Sequence, residues 1–393
     1  MGSGDFTHPA WIKEIKAKLE PAEQGLYKLK SEARSTKSET NSKFQIPNSQ
    51  TRFLLTVEIS SIYSKGGRTR RIHNLIFAPS IETAEKINAA LGWQGNLKSD
   101  GRPILGLDAK ELAKIVLNID SRCMIVCAHA YTPWFSVFGS MSGFDSLEEC
   151  FDEYAKYIYA IESGLSSDPA MSWRNSRLDN ITIISNSDSH SLQRIGREAN
   201  VFDTELSYDG IVAAIKSHDP QKFLFTVEFY PEEGKYHYDG HRLCGFSCGP
   251  EETKKLNKLC PKCGKPVTIG VMYRVEELAD RTAGAKPQGA IPFKSLVPLD
   301  EIIAESYGMG VGAKKVKEEY KNLIEKIGSE FAALVDASRS DLEHATTPEV
   351  AEGIMRVREG RLTIIPGYDG EYGKVKIFAD GERNAMTKQT SLF

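Results

Sequence analysis

The sequence predicts an α/β fold for its first half, followed by a small module that a metal must hold together and by a helical C-terminal domain. Three observations carry this. Short β-branched and apolar runs alternate with longer runs whose apolar residues recur every three or four positions, the pattern of strand–helix units around a largely parallel sheet. Four of the seven cysteines then crowd into a stretch rich in Gly, Pro and charge, whose apolar runs are too short to build a core unaided. Beyond residue 291 helical periodicity dominates.

Taken in order, strands are expected at residues 53–60, 71–77, 123–129 and 181–186, with amphipathic helices at 108–119 and 146–161 between them. The polar, Ser/Lys-rich segment 31–50 is the one weakly structured stretch expected inside this first region. Helices are expected again at 297–305, 314–327, 330–337 and 350–359, before a Gly-rich tail containing Pro366, Gly367, Tyr368, Asp369 and Gly370. A chain of 393 residues exceeds what one hydrophobic core organises. The reading therefore divides it into a catalytic domain at 1–220, a metal-held module at 221–290, a helical domain at 291–385 and a flexible tail at 386–393.

Composition excludes some functions. A hydrophobic fraction of 40% and a charged fraction of 26% describe an ordinary globular protein. No apolar run approaches the roughly 20 residues of a membrane-spanning helix, and the N-terminus lacks a basic segment followed by an apolar one, so a cytoplasmic location and no membrane partner are expected. The net charge of −3 rules out a uniformly basic nucleic-acid binder and leaves any phosphate contact to local Lys/Arg clusters.

The chemistry-bearing residues of the first domain fall at or near the ends of expected strands, where parallel α/β sheets place their sites. Glu58 lies in Thr-Val-Glu-Ile-Ser, His73 in Ile-His-Asn-Leu and His129 in Ala-His-Ala-Tyr-Thr-Pro-Trp-Phe. Asp188 and His190 lie in Asn-Ser-Asp-Ser-His, and Asp5 and His8 in Gly-Asp-Phe-Thr-His-Pro. Four of the eight histidines thus stand beside strand ends, while His218 and His344 sit in polar surroundings and read as surface residues. Imidazole combined with carboxylate suits Zn, Mn or Fe, ions that acidify water and neutralise charge on a phosphoryl oxygen. That is the chemistry of phosphoester hydrolysis.

These motifs resemble the metal motifs of the polymerase-and-histidinol-phosphatase (PHP) superfamily. Within it, residues 161–174 (Ile-Glu-Ser-Gly-Leu-Ser-Ser-Asp-Pro-Ala-Met-Ser-Trp-Arg), 196–202 and 231–241 resemble endonuclease Q, and the similarity runs through nearly the whole chain. The resemblance implies a distorted β/α barrel of PHP type, then a zinc-binding domain and a helical domain. It implies that Glu58 bridges metals and that His8, His73, His129, His190 and Asp188 are ligands, with Asp188, His190 and Glu58 catalytic. Asp5 joins the ligand set, although its offset from His8 differs from the tighter Asp-His spacing of many superfamily members. The implied catalytic ion is Zn2+, Mn2+ or Mg2+. The implied activity is metal-dependent cleavage of DNA beside deaminated bases (uracil, hypoxanthine, xanthine) or at abasic sites. Such proteins open with a strand ending in Asp-x-His-x-His; no His-x-His occurs here, so a truncation that removes this first barrel strand is expected, with impaired cutting.

The spacing Cys244-x3-Cys248 followed by Cys260-x2-Cys263 offers four thiolates in two short loops, the signature of a structural Zn2+ site. His241 can replace Cys248 as fourth ligand. Phosphate contacts are sought in Lys65–Arg71, in Arg194 and Arg197, and in the Gly-x-Gly-x-Gly segment 308–315, each competing with a solvated surface or a plain helix start. The aromatic stretches 131–138 and 236–238 suit base stacking or ordinary packing. The terminal Gln389-Thr-Ser-Leu392-Phe393 resembles the short peptides that dock on the DNA sliding clamp. Two other functions stay open at this point: a small-molecule phosphoesterase, and a lesion-binding or clamp-associated protein without catalysis.

Overall fold

The computed structural model describes residues 1–31, 51–99, 102–379 and 382. From residue 32 onward the weakly structured segment expected at 31–50 lies outside the described residues, as do Gln389, Leu392 and Phe393.

Helix Pro9–Lys18 opens on a proline, whose fixed φ suits a first helical turn, and leads into a hairpin of Leu19–Pro21 (β1) and Tyr27–Leu29 (β2). The long hairpin of Leu55–Lys65 (β3) and Arg68–Ala78 (β4) follows. Gly66 and Gly67 both take positive φ, 60° and 70°, which a tight two-residue turn matched to strand twist requires. Ile104–Leu105 (β5), Met124–Cys127 (β6), Ala160–Glu162 (β7) and Thr182–Ile184 (β8) complete a six-stranded sheet of order β5-β3-β4-β6-β7-β8.

Five of the six strands run in one direction, as expected, and β4 alone runs against them. β4 runs antiparallel to both β3 and β6, whereas β5 pairs parallel with β3 and β6, β7 and β8 pair in parallel. The Gly-Gly turn explains the difference: it returns the chain at once, while a parallel neighbour needs a crossover. A second difference concerns the helix expected at 146–161. Ser146 caps it by accepting the Glu149 N–H, but the α-helix Leu147–Phe151 ends at Asp152, with φ 48°, and a 3-10 turn Asp152–Tyr157 leads straight into β7.

Both faces of the sheet are covered. In β6, Ile125 and Cys127 enter a core shared with helices Ile81–Gly92 and Ala109–Ile119, while Met124 and Val126 enter another with helix Tyr208–Ser217. All four β6 side chains are buried, as a strand with two covered faces demands. Ala199–Phe202 (β9) and Phe223–Glu228 (β10) belong to a three-stranded sheet completed by Phe293–Ser295, so the chain beyond residue 220 still adds a strand beside the first domain.

The cysteine region is built on a hairpin of Asp239–His241 (β11) and Phe246–Cys248 (β12), with helices Pro250–Lys255 and Val271–Leu278. Buried Arg274 ties it to the first domain, donating to the Phe138 and Phe144 carbonyls at 2.8 and 2.9 Å. The Gly-rich tail braces the same hairpin: Asp369 accepts from the Arg242 N–H and the Thr268 hydroxyl, both at 2.6 Å. The last core gathers helices Leu299–Tyr307, Lys314–Ile327, Arg339–Ala345 and Pro348–Arg358. The helix expected at 330–337 is present and takes π form over Ala332–Asp336. Among the described residues no helix is long and apolar enough to cross a membrane.

Candidate metal centre

Glu58 on β3 and His73 on β4 are neighbours across the long hairpin, and His129 follows the end of β6. His73 lies within its strand as expected, and Glu58, expected near a strand end, also lies inside, because β3 and β4 are each eleven residues long. Their ligand atoms converge. His73 Nδ1 lies 2.8 Å and His129 Nε2 3.2 Å from Glu58 Oε1, and the two ring nitrogens are 3.2 Å apart.

Local structure fixes each imidazole. The His73 backbone N–H donates to the Phe135 carbonyl at 3.0 Å, and its ring packs 4.8 Å from that of Phe135. His129 Nδ1 lies 3.0 Å from the Thr132 hydroxyl, which donates onward to the Trp134 carbonyl at 2.9 Å. Nδ1–H is then the donor to Thr132, which leaves the Nε2 lone pair for the pocket.

Electrostatics favour a cation here. Burial alone would raise the Glu58 carboxyl, but its contacts with His129 and His73 outweigh it and hold the group well below the usual carboxylate range. The imidazoles diverge: burial lowers His73, whereas Glu58 raises His129 against its own burial. Two imidazoles and an ionised carboxylate in one buried pocket are donors that fit Zn2+ or Mn2+.

The remaining expected ligands border this group without joining it. Desolvation, only partial for the exposed Asp188, and then the Glu58 charge raise both Asp5 and Asp188, which places both carboxyls within electrostatic reach of the pocket. His8 stands at the N-cap of helix Pro9–Lys18, its N–H bonded to the Asp5 carbonyl at 2.9 Å. His190 is exposed, with Nδ1 2.8 Å from the Asp188 carbonyl. Backbone strain gathers at the same place: Asp5, His129 and Asp188 take φ of 34°, 31° and 42°, a region that non-glycine residues occupy only when their surroundings force it.

Two residues at the site were not picked out from the sequence. Glu162 ends β7, accepts the His129 N–H at 2.8 Å and the Asn186 side-chain amide at 2.9 Å, and is pushed up to about 7 by burial. The helix expected to run to 161 hid the strand that Glu162 terminates. Gly164, with φ 60°, leaves the room this tether needs, since a Cβ there would lie 2.6 Å from His129 Cβ. Arg102 is the other; its Nη1 donates to Glu58 Oε1 at 3.0 Å.

In the cysteine region, the ligand atoms of His241, Cys244, Cys260 and Cys263 lie within 4.8 Å of one another. Cys248 stands apart. The hairpin register sets it opposite Asp239, two positions along from His241, and its buried Sγ lies 3.2 Å from the Thr253 hydroxyl. Backbone N–H groups of Lys262 and Cys263 overcome desolvation and pull the Cys260 thiol down to about 7, which favours the thiolate a metal needs. Four donors of this kind suit a closed tetrahedral Zn2+ site.

Several expected phosphate contacts are engaged within the protein. Arg70 is buried over the Phe144 ring and bonds the Gly143 carbonyl, Lys65 bonds the Cys150 carbonyl and Asp152, and Arg197 pairs with Glu301 at 2.8 Å. Tyr131 and Phe138 are core residues, whereas Trp134 and Tyr236 meet edge to face with ring centroids 5.5 Å apart.

Comparison with known proteins extends this picture. The family model described as the MJ0043 C-terminal domain matches residues 298–361. The chain is 34% identical to the Methanocaldococcus jannaschii protein MJ0043 over 255 residues, which cover 63% of this chain and 31% of that protein. It is 30% identical to Bacillus subtilis YqxK over 312 residues, covering 78% and 74% of the two chains. Among solved structures, the lesion-specific endonuclease PfuEndoQ from Pyrococcus furiosus superimposes with a TM-score of 0.80 at 30% identity, over 95% of this chain and 86% of that one. An endonuclease Q bound to a 27-mer duplex with an abasic lesion at its active site gives a TM-score of 0.79 at 30% identity, over 96% and 88%. With that identity carried across nearly the full length of both chains on one shared fold, this protein belongs to the endonuclease Q family.

Proposed function

We propose that the chain is a metal-dependent DNA-repair endonuclease that hydrolyses the phosphodiester next to a deaminated base or an abasic site. The observation that carries this reading is the convergence of Glu58, His73 and His129 in one buried pocket flanked by Asp5 and Asp188, in a member of the endonuclease Q family. A divalent cation held there supplies Lewis acidity toward a phosphoryl oxygen and acidifies water. The chain's own groups do the rest. Glu58 remains ionised, Glu162 fixes the His129 backbone, and Thr132 fixes the His129 ring. Asp188, raised above its ordinary range at the mouth of the pocket, is suited to take a proton from the attacking water. His190 on the same exposed segment is suited to return one to the leaving oxygen.

The His241, Cys244, Cys260 and Cys263 group holds Zn2+ in a structural role, because four protein donors leave no open position for chemistry. The tail residues Gln389, Leu392 and Phe393 serve as a clamp-docking peptide; removing the last five residues should abolish binding to a sliding clamp and leave nicking unchanged.

The test is nicking of end-labelled duplexes carrying one uracil, hypoxanthine or abasic site, with Mn2+, Mg2+ or Zn2+ added. Lesion-dependent nicking by the wild type that is lost in Asp188→Ala supports the reading. Hydrolysis of a small phosphate monoester, with no action on any of these duplexes, overturns it.

A further inference from the structure

Arg102 is set beside the pocket by the sheet. Ser60 and Ser61 of β3 pair in parallel with Ile104 and Leu105 of β5, and the Ser60 N–H donates to the Pro103 carbonyl at 3.0 Å. Two steps back on this ladder, Arg102 stands alongside Glu58 on the same face. Its Nη1 donates to Glu58 Oε1 at 3.0 Å and lies 2.8 Å from His73 Nδ1. These are two of the three atoms that would hold a cation. The bond from its guanidinium to a carboxylate sheltered from water is of the stronger, charge-assisted kind.

We propose that Arg102 is a built-in competitor for the divalent cation: metal enters the pocket by displacing the guanidinium from Glu58 Oε1 and His73 Nδ1. The inference rests on the metal reading of the pocket given above. The same oxygen and nitrogen lone pairs serve both partners, so the two states exclude each other. With arginine seated, Glu58 is neutralised and the pocket is kept for an ion that binds tightly enough to expel it. With metal seated, an arginine is left at the pocket edge, free to bond an anion.

The test is Mn2+ titration of the full chain with its cysteine site first loaded with Zn2+, followed by electron paramagnetic resonance, for the wild type, Arg102→Gln, Arg102→Lys and Glu58→Gln. Arg102→Gln should bind Mn2+ about tenfold or more tightly than the wild type, the effect of deleting one charge-assisted bond that competes. Arg102→Lys, which keeps the charge, should stay closer to the wild type, and matching melting curves check that the fold is intact. Equal or weaker Mn2+ binding by Arg102→Gln overturns the proposal while leaving the metal reading in place. If the wild type binds Mn2+ no better than Glu58→Gln, the metal reading fails and the proposal falls with it.

Discussion

The two clusters that gather metal-type donors are built in opposite ways. Glu58 and His73 come from two strands of one sheet and His129 from the turn after a third; all three are held by packing and backbone hydrogen bonds and flanked by further carboxyls and an arginine. His241, Cys244, Cys260 and Cys263 come from two short loops, and the structure around them rests on a small hairpin and a few braces such as Asp369. The first site is set by the sheet and by the bond from the His129 N–H to Glu162. The second has all four donors and little fold of its own. On the function proposed above, an ion in the first would do chemistry and an ion in the second would hold the chain together.

The largest effect should follow from breaking the second site. Cys260→Ala should abolish zinc binding there and unfold the hairpin, because binding energy at such a site is folding energy; proteolysis confined to the 239–270 region would report it. Breaking the first site should leave the fold alone. His129→Ala should weaken Mn2+ binding more than about 100-fold with an unchanged melting curve, since loss of a direct ligand exceeds the 10–100-fold typical of outer-shell residues. Glu162→Gln should fall within that 10–100-fold range, because an amide NH2 replaces one of the two acceptors that face the His129 N–H and Asn186.

Acid should separate the regions in another way. Glu352 is held down to about 2, its burial outweighed by hydrogen bonds from Arg339, Arg356 and Arg361. A carboxyl depressed from 4.5 stabilises the fold fully above that pH and loses its contribution as pH falls toward about 2. The helical domain should weaken only in that window, while protons displace zinc from the thiolates at higher pH. Circular dichroism with a zinc indicator over an acid titration checks the order. The smallest effect should come from Cys248→Ala, about 1 kcal/mol of stability with zinc retained, since its sulfur lies outside the group of four.

How legible each site was in sequence follows from the same contrast. The cysteine group was visible by spacing, yet which four donors converge depended on hairpin register, which sets Cys248 two positions from His241. The strands that carry Glu58 and His73 and the one that leads to His129 were visible in their apolar patterning, but their pairing turned on one Gly-Gly turn that makes β4 antiparallel. Arg102 was invisible because its role depends on β5, a two-residue strand too short to leave a pattern. Glu162 was invisible because the run 146–161 keeps helical periodicity past Asp152, where the backbone leaves the helix. The amphipathic helix Lys314–Ile327 was legible to its boundaries, since its periodicity ends at Gly328 and competes with no tertiary break.

The most direct test of the account is lesion-strand nicking by Glu58→Gln compared with the wild type, in Mn2+, with zinc content of the cysteine site measured on the same samples. The account predicts that wild type nicks an abasic duplex, that Glu58→Gln retains its zinc and its fold, and that its nicking falls to background. Undiminished nicking by Glu58→Gln would contradict the assignment of chemistry to the Glu58, His73 and His129 pocket.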